Sequence, residues 1–134
     1  MINLEWVRHG AGVHKLFPAS ADVLDDAGHA LATAYAVKRP DGEWSVMLVN
    51  KDASNAHRLK VLVKDADGTE RHFSGTVDMV TFGAEQYVWH PEGAKSHADP
   101  DGPLRRTSMP AGKDSSFELP RASVTVLRGH LTGQ

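Results

Sequence analysis

The densest group of side chains that can bind a metal or move a proton lies in one turn-rich segment of the chain. The group consists of His90, Glu92, His97, Asp99 and Asp101. Carboxylate oxygens suit Ca²⁺ and imidazoles suit a transition metal, but this spacing matches no standard ligand frame. Asp next to Pro or Gly also forms turns in which its carboxylate accepts backbone hydrogen bonds. We therefore predict no bound metal or cofactor and keep Asp99 and Asp101 only as weak metal candidates.

A pair of aromatic residues next to this segment is the second candidate. Tyr87 and Trp89 are two residues apart, so in a strand they lie on one face. Exposed Tyr and Trp rings offer a flat apolar surface with a hydrogen-bonding edge, which suits stacking on a sugar ring. His90 and Glu92 are the expected polar partners, and Trp6 either adds to this surface, caps the core or packs on a neighbouring domain. If the face is buried, the same rings belong to the core.

Signatures of the common catalytic sites are missing from the sequence. It contains no G-x-S-x-G, H-E-x-x-H, G-x-x-x-x-G-K-[ST] or G-x-G-x-x-G motif. It also contains no cysteine, which excludes a cysteine nucleophile, thiolate metal ligands and disulfides. The sequence therefore predicts a protein that is not itself an enzyme.

The elements that would position these side chains have the two-residue period of β-strands. Residues 30–39 alternate alanines with larger side chains, and residues 44–50 are apolar on both faces. Between them, residues 39–43 contain Pro, Asp and Gly, which predicts a tight turn and a central hairpin. Residues 57–64 alternate apolar and polar side chains, which predicts a strand with one wet face.

Further short strands are expected along the rest of the chain. They are residues 3–7, 13–17, 69–73, 76–82, 86–90, 116–119 and 123–128. Residues 91–114 are too long and too rich in Pro, Gly and charge for an ordinary connection, so we expect one long loop there. Eight or more strands separated by such turns predict an all-β fold, a two-sheet antiparallel β-sandwich with one long loop.

Length and charge limit the possible partners. The 134 residues suit a single domain, 1–134, and acidic and basic residues are mixed to a net charge of -2. Nucleic acid is therefore not an expected partner, because that affinity rests on neutralising phosphates. No apolar run approaches the roughly 20 residues that cross a bilayer, and the N-terminus lacks a signal-peptide pattern, so we expect neither a membrane partner nor an export signal.

Six short segments, spread over almost the whole chain, together form a recognisable sequence pattern. They are residues 3–7, 14–19, 33–42, 48–52, 86–90 and 119–127. The most specific are Asn50-Lys51-Asp52 after an apolar strand and the closing Leu-Pro-x-x-Ser-Val-Thr-Val-Leu of residues 119–127. Together they resemble the C-terminal β-sandwich that follows the (β/α)8 barrel in bacterial glycoside hydrolases of the clan that contains family 39 xylosidases and arabinofuranosidase-like enzymes.

The resemblance implies a non-catalytic accessory role. In such enzymes the catalytic carboxylates sit on the barrel, which needs about 250 residues, more than this chain contains. The chain would be the C-terminal part of a longer, secreted or periplasmic glycoside hydrolase, packed against a barrel that it lacks, with residues 87–103 as a loop toward the substrate cleft. Alone, it could form a homo-oligomer through the exposed barrel-facing patch.

Two alternatives stay open. The first is a free-standing carbohydrate-binding module for plant polysaccharide, which requires Tyr87, Trp89 and Trp6 to form an exposed strip. The second is a small independent enzyme that acts through residues 90–101, which requires a bound metal and hydrolysis of a glycoside.

Overall fold

Nearly all of the regular secondary structure in the described residues is β-strand, which confirms the predicted all-β class. The computed structural model describes residues 2–7, 12–98 and 103–133, with only the backbone at residues 3 and 4. The strands are β1 (Lys15–Phe17), β2 (Ala32–Lys38), β3 (Trp44–Asn50), β4 (His57–Leu59), β5 (Val63–Lys64), β6 (Glu70–Arg71), β7 (Phe73–Gly83), β8 (Trp89–His90), β9 (His97–Ala98), β10 (Arg105–Ala111), β11 (Phe117–Leu119) and β12 (Ser123–Leu131). Two short helical segments complete the elements, the α-helix α1 (Asn3–Trp6) and a 3-10 turn at Gly93–Lys95.

The main sheet has six antiparallel strands in the order β1-β2-β3-β12-β7-β10. The predicted hairpin is part of this sheet, where β2 pairs with β3 in register from Ala32↔Asn50 to Lys38↔Trp44. Only β3 of the hairpin is a central strand, next to β12. Its turn closes through the Arg39 N–H, which donates to the Glu43 carbonyl at 2.8 Å. Gly42 has φ +87°, a backbone conformation that a side chain would strain.

A smaller second layer packs on one face of this sheet, which gives a sandwich-like fold. It consists of the strand pairs β4–β11 and β5–β6. Phe117 and Leu119 from β11 are almost fully buried, and Phe117 meets Phe73 edge-to-face at 6.0 Å between ring centroids. We call the sheet face that meets this layer the inner face. Its buried residues are Ala36, Trp44, Val46, Leu48, Val77 and Leu127.

The expected strand at residues 3–7 is wrong, because the structure has α1 there. The Glu5 N–H donates to the Ile2 carbonyl at 3.0 Å, which closes a helical turn. The Glu5 carboxylate binds Arg106 and Arg128, so distant ion pairs override the weak local alternation.

Residues 57–64 keep the predicted alternation but do not form one continuous strand. Leu59, Val61 and Val63 are half-buried while Arg58 and Lys64 are exposed. Pairing stops after Leu59 and resumes at Val63, so two short strands replace the expected one. The exposed and half-buried faces of this segment are therefore predicted correctly, whereas its continuity as one strand is not.

Residues 91–114 are not a single loop, and this is the largest correction to the predicted fold. β8 and β9 form a small hairpin, and β10 joins the main sheet beside β7 from Arg105↔Thr81 to Ala111↔Gly75. β10 is an edge strand with mostly exposed side chains, so it lacks the alternation that marks a half-buried strand. Pro110 is tolerated there because an edge strand can leave one side unpaired.

Within the part of the chain that the structure describes, no helix is long and apolar enough to span a membrane.

Candidate functional site

The face of the main sheet opposite the core carries a half-exposed apolar surface. Because side chains alternate, the residues between the inner-face positions of each strand point to this outer face. We name one set the outer-face band: Tyr35, Met47, Val49, Val124 and Phe82. Register places Tyr35 beside Met47, and Val124 between Val49 and Phe82, so the band crosses from β2 to β7. Tyr35 is 47% exposed and the other four are half-buried.

Two aromatic pairs stand at the ends of the outer-face band. Trp6 meets Tyr35 edge-to-face at 6.3 Å between ring centroids, and Tyr87 meets Phe82 in the same manner at 6.3 Å. Tyr35 is on β2 and Phe82 on β7, with β3 and β12 between them. Three strand spacings separate the two pairs by about 14 Å. The rings frame the aliphatic centre of the band and do not form one strip.

The helix α1 is fixed on the outer face by arginines from β10, from β12 and from the turn between β2 and β3. Arg106 donates to Glu5 Oε1 at 2.6 Å and Arg128 donates to Glu5 Oε2 at 2.8 Å. The buried Arg39 donates to the Glu5 carbonyl at 3.2 Å. The hydrogen bond from Arg106, with the charges of both arginines, holds the pKa of the Glu5 carboxyl below its usual value, although partial burial acts to raise it. Glu5 is therefore an ionised anchor.

Asp78 extends this network along β7. Its carboxylate accepts a hydrogen bond from Ser108 Oγ at 2.6 Å and one from Arg128 at 3.3 Å. The Ser108 hydrogen bond is the main reason that the pKa of Asp78 lies below its usual value. Arg128 thus bridges two carboxylates, which ties β12 to both α1 and β7.

The predicted aromatic candidates are exposed. Tyr87 is 51% exposed, Val88 45% and Trp89 56%. The expected strand at residues 86–90 is correct only for Trp89 and His90. The N–H groups of Gln86 and Tyr87 both donate to the Gly83 carbonyl at 2.9 Å, which makes a turn. Tyr87 therefore lies in the loop after β7, and its placement relative to Trp89 is not set by strand alternation.

The polar residues of the candidate site lie on the β8–β9 hairpin. His90 stacks on His97 across the hairpin, with 5.0 Å between ring centroids. The Glu92 backbone N–H donates to Ser96 Oγ at 2.9 Å, and the Glu92 side chain is exposed. Trp6 lies elsewhere, on α1 beside Tyr35. The structure thus brings His90 near His97 and places Trp6 with the opposite end of the outer-face band.

The metal candidates Asp99 and Asp101 fall outside the described residues. Among residues 2–7, 12–98 and 103–133, no group of three or more His, Asp or Glu side chains is arranged to hold a metal ion. The prediction of no metal or cofactor stays a prediction.

The two phrases that most specifically carry the family resemblance meet in one joint. Asn50 is buried, and its Nδ2 donates to the carbonyls of Leu119 at 3.2 Å and Pro120 at 2.8 Å. The Asp52 carbonyl accepts from the Ala122 N–H at 2.8 Å. These hydrogen bonds fasten the turn after β3 to the start of β12. The residues of these two motifs therefore have a structural role, because their hydrogen bonds join two parts of the fold.

Several residues of the outer face were not singled out in the sequence. Glu5 is 101 positions from Arg106 and 123 from Arg128, and ion pairs at such separations leave no local pattern. The apolar outer face did leave a signal, because residues 44–50 are apolar on both faces. That pattern indicates a strand whose second face also meets something apolar.

No protein-family model and no curated protein sequence matches this chain. Similar solved structures include the thermostable GH51 alpha-L-arabinofuranosidase from Thermotoga petrophila, with 13% identity and a TM-score of 0.49 over 75% of this chain and 19% of that one. The GH51 arabinofuranosidase from Xanthomonas axonopodis pv. citri has 16% identity and a TM-score of 0.49 over 86% and 21%. Another arabinofuranosidase has 17% identity and a TM-score of 0.43 over 77% and 20%.

The chain spans about a fifth of the length of these three enzymes. Two of them are GH51 enzymes, whereas the sequence resemblance is to the clan with family 39.

Proposed function

We propose that this chain is a non-catalytic accessory β-sandwich of a glycoside hydrolase, from the clan that contains family 39 xylosidases and arabinofuranosidases, and that it packs against the catalytic (β/α)8 barrel. The observation that carries the proposal is the outer-face band. Five apolar side chains on four adjacent strands are half-buried or exposed on the sheet face that the second layer does not cover. A contiguous apolar surface that stays partly exposed in a folded domain suits an interaction surface.

The fixed position of α1 supports a docking role for this face. α1 contacts β3 and β12, so it already covers one part of the outer face. Three arginines hold it there through Glu5. The outer-face band lies beside this helix, between Trp6 and Tyr87. An apolar surface with aromatic edges, next to an anchored helix, suits a stable interdomain contact.

The state of the carboxyl groups supports the non-catalytic part of the proposal. Glycoside hydrolysis needs a carboxyl whose pKa is raised so that it can donate a proton near neutral pH. Five carboxyl groups of the described residues have a pKa that is shifted the other way, below its usual value. These are Glu5, Asp25, Asp52, Asp67 and Asp78. Hydrogen bonds to each carboxylate cause the shift, as in structural ion pairs and turns.

The test of the docking surface uses self-association of the isolated chain. We expect light scattering to show association that increases with protein concentration, because the band is uncovered. Met47→Glu places a charge at the centre of the band and should give a monomer. Leu24→Glu, at an exposed apolar position outside the sheet, is the matched control and should associate like the wild type. A wild-type chain that stays monomeric at every concentration would contradict the docking surface.

A hydrolysis assay tests the non-catalytic part separately. The purified chain should release no nitrophenol from 4-nitrophenyl xylopyranoside or arabinofuranoside. Turnover that co-purifies with the chain and persists in an independently prepared sample would overturn this part and leave the docking surface standing.

Carbohydrate binding by the loop after β7 is the second candidate function. The observation that favours it is the exposure of Tyr87, Val88 and Trp89, three successive large apolar side chains. An exposed indole can stack on the apolar face of a sugar. Xylan oligosaccharides should protect Trp89 from iodide quenching, and Trp89→Ala should remove that protection while Trp6→Phe retains it. Quenching that is unchanged by any oligosaccharide would reject this function.

A further inference from the structure

A groove lies at the open side of the two-layer fold, between β10 of the main sheet and β11 of the second layer. β11 contacts β12 and β3, and the inner-face residues Arg105 and Thr107 of β10 remain exposed. The groove has a volume of about 280 Å³. It lies on the other side of the main sheet from the outer-face band, so its occupancy does not rest on the proposed function.

The floor of the groove is partly apolar. Register pairs Met79 of β7 with Thr107 of β10, and Met109 lies two residues further along β10, on the same face. Both methionines are half-buried and both line the groove. A thioether side chain adapts its shape to an irregular surface, so two of them suit the C–H face of a small non-aromatic ring.

Arg105 brings one unbalanced positive charge to the groove. It is next to Thr81 in register, its side chain is exposed, and it forms no ion pair with another described residue. Arg58 also lines the groove, but it donates to the Glu118 carboxylate at 3.1 Å. These two charges balance each other, and the charge of Arg105 is left over.

The guanidinium of Arg105 favours a carboxylate as its partner. Its planar N–H donors match the two oxygens of a carboxylate, and a ligand reaches them directly from solvent because the side chain is exposed. A dianion such as a phosphate monoester fits less well. Only one positive charge is unpaired, and Glu118 would repel the second negative charge.

Hydroxyl groups supply much of the remaining polar lining. Thr107 is exposed and Ser116 is half-buried, and both line the groove. The buried Thr81 hydroxyl shares a hydrogen bond of 3.0 Å with Thr125. A hydroxyl both donates and accepts, so Thr107 and Ser116 suit a ligand that itself carries hydroxyl groups. A fatty acid or an aromatic acid would not use them.

We propose that this groove binds a hexuronate, a six-membered sugar ring whose single charge is one carboxylate. The carboxylate pairs with Arg105, the ring hydroxyls exchange hydrogen bonds with Thr107 and Ser116, and the C–H face of the ring packs on Met79 and Met109. The volume is just below the range of about 300–1,000 Å³ that sites for larger small molecules occupy, so it suits one such ring.

Methyl β-D-glucuronide and methyl β-D-glucoside, which differ only in a carboxylate and a hydroxymethyl group, are the matched probes. Nuclear magnetic resonance of the full chain, labelled with ¹³C at the methionine methyl groups, reports each of its four methionines separately. The glucuronide should shift the Met79 and Met109 signals until they saturate and leave Met47, on the outer face, unmoved. It should bind about fivefold more tightly than the glucoside, the equivalent of about 1 kcal/mol for an exposed ion pair.

Three variants separate the groove from general attraction of an anion. Arg105→Gln should bind both probes with equal affinity, because the guanidinium is gone. Lys51→Gln removes an exposed positive charge outside the groove and should keep the wild-type preference. Thr107→Val should weaken both probes by about threefold, because the ring loses one hydrogen-bond partner, and should also keep the preference. The Met47 signal of each variant reports whether it folds.

Sodium acetate tests whether the sugar ring is recognised as well as the charge. It should bind at least tenfold more weakly than the glucuronide, because it has a carboxylate but no ring or hydroxyl groups. Acetate that binds as tightly as the glucuronide would overturn the proposal.

Several other results would also overturn it. The first is that the glucuronide moves neither the Met79 nor the Met109 signal, and the second is equal affinity of the wild type for the two sugars. An unchanged preference in Arg105→Gln is the third. Met79 and Met109 signals that shift with protein concentration in the absence of a probe would show that a second copy of the chain occupies the groove instead.

Discussion

At the scale of single residues, Glu5 connects the helix α1 to two strands and one turn of the main sheet. It accepts hydrogen bonds from two arginines on β10 and β12 and, through its carbonyl, from Arg39. Its side chain is largely shielded from solvent, whereas Arg106 is more than half exposed. Such a pair contributes less than a buried one, because solvent screens the exposed partner.

Glu5→Gln removes the charge of this anchor and keeps the shape of the side chain. We expect the free energy of unfolding to fall by about 1 kcal/mol, because the charge-assisted hydrogen bonds to Arg106 and Arg128 become neutral ones. Urea unfolding measures the change. Glu85→Gln, at an exposed turn position, is the matched control and should change the free energy of unfolding by less than about 0.5 kcal/mol. Equal effects of the two variants would mean that Glu5 is not an anchor.

At the scale of elements, the turn between β2 and β3 depends on one glycine. Gly42 has φ +87° and no atom within 4 Å of a built Cβ, so a side chain would meet backbone strain but no steric clash. We expect Gly42→Ala to lower the free energy of unfolding by about 1 kcal/mol. Gly112→Ala is the control, because Gly112 has equally open space without a positive φ. It should be neutral or slightly stabilising. A loss in Gly112→Ala as large as in Gly42→Ala would contradict the strain argument.

The sequence pattern predicts the strands whose side chains are buried or half-buried. It does not predict the elements that are held by contacts with distant residues. β3 and the β2–β3 turn follow directly from local pattern. α1 does not, because ion pairs with Arg106 and Arg128 hold it. β10 does not either, because an edge strand with exposed side chains has no apolar alternation.

The candidate site could be predicted only in part for the same reason. The aromatic types of Tyr87 and Trp89 are visible in the sequence, but their exposure follows from the turn at Gly83 and the short β8–β9 pairing. The outer-face band requires the strand order β2-β3-β12-β7, which no local pattern contains.

At the scale of the whole molecule, the shifted carboxyl groups determine how stability depends on pH. The pKa values of Glu5, Asp25, Asp52, Asp67 and Asp78 are lowered in the folded protein. Between the folded and unfolded pKa values, the unfolded chain binds more protons, so stability rises with pH there.

The contribution of these carboxyl groups to stability should therefore be greatest, and nearly constant, above about pH 5. It should fall as the pH drops below about 4, toward the lowered pKa values of the folded protein. Urea midpoints measured over a series of buffers test this. We expect Asp52→Asn to lose less stability on acidification than the wild type. The reason is that the Asp52 carboxylate accepts hydrogen bonds from Ser54, Asn55 and His57 and must be protonated at low pH. Stability that increases on acidification would contradict the assignment of these carboxylates as structural anchors.

At the same scale, the outer-face band is the surface that we propose meets a catalytic barrel. Sedimentation velocity of the chain mixed with the (β/α)8 barrel domain of a clan member, purified without its own sandwich, measures this most directly. The wild type should form a one-to-one complex, and Met47→Glu should weaken it at least tenfold while Leu24→Glu leaves it unchanged. No complex, or a complex equally strong with Met47→Glu, would contradict the account.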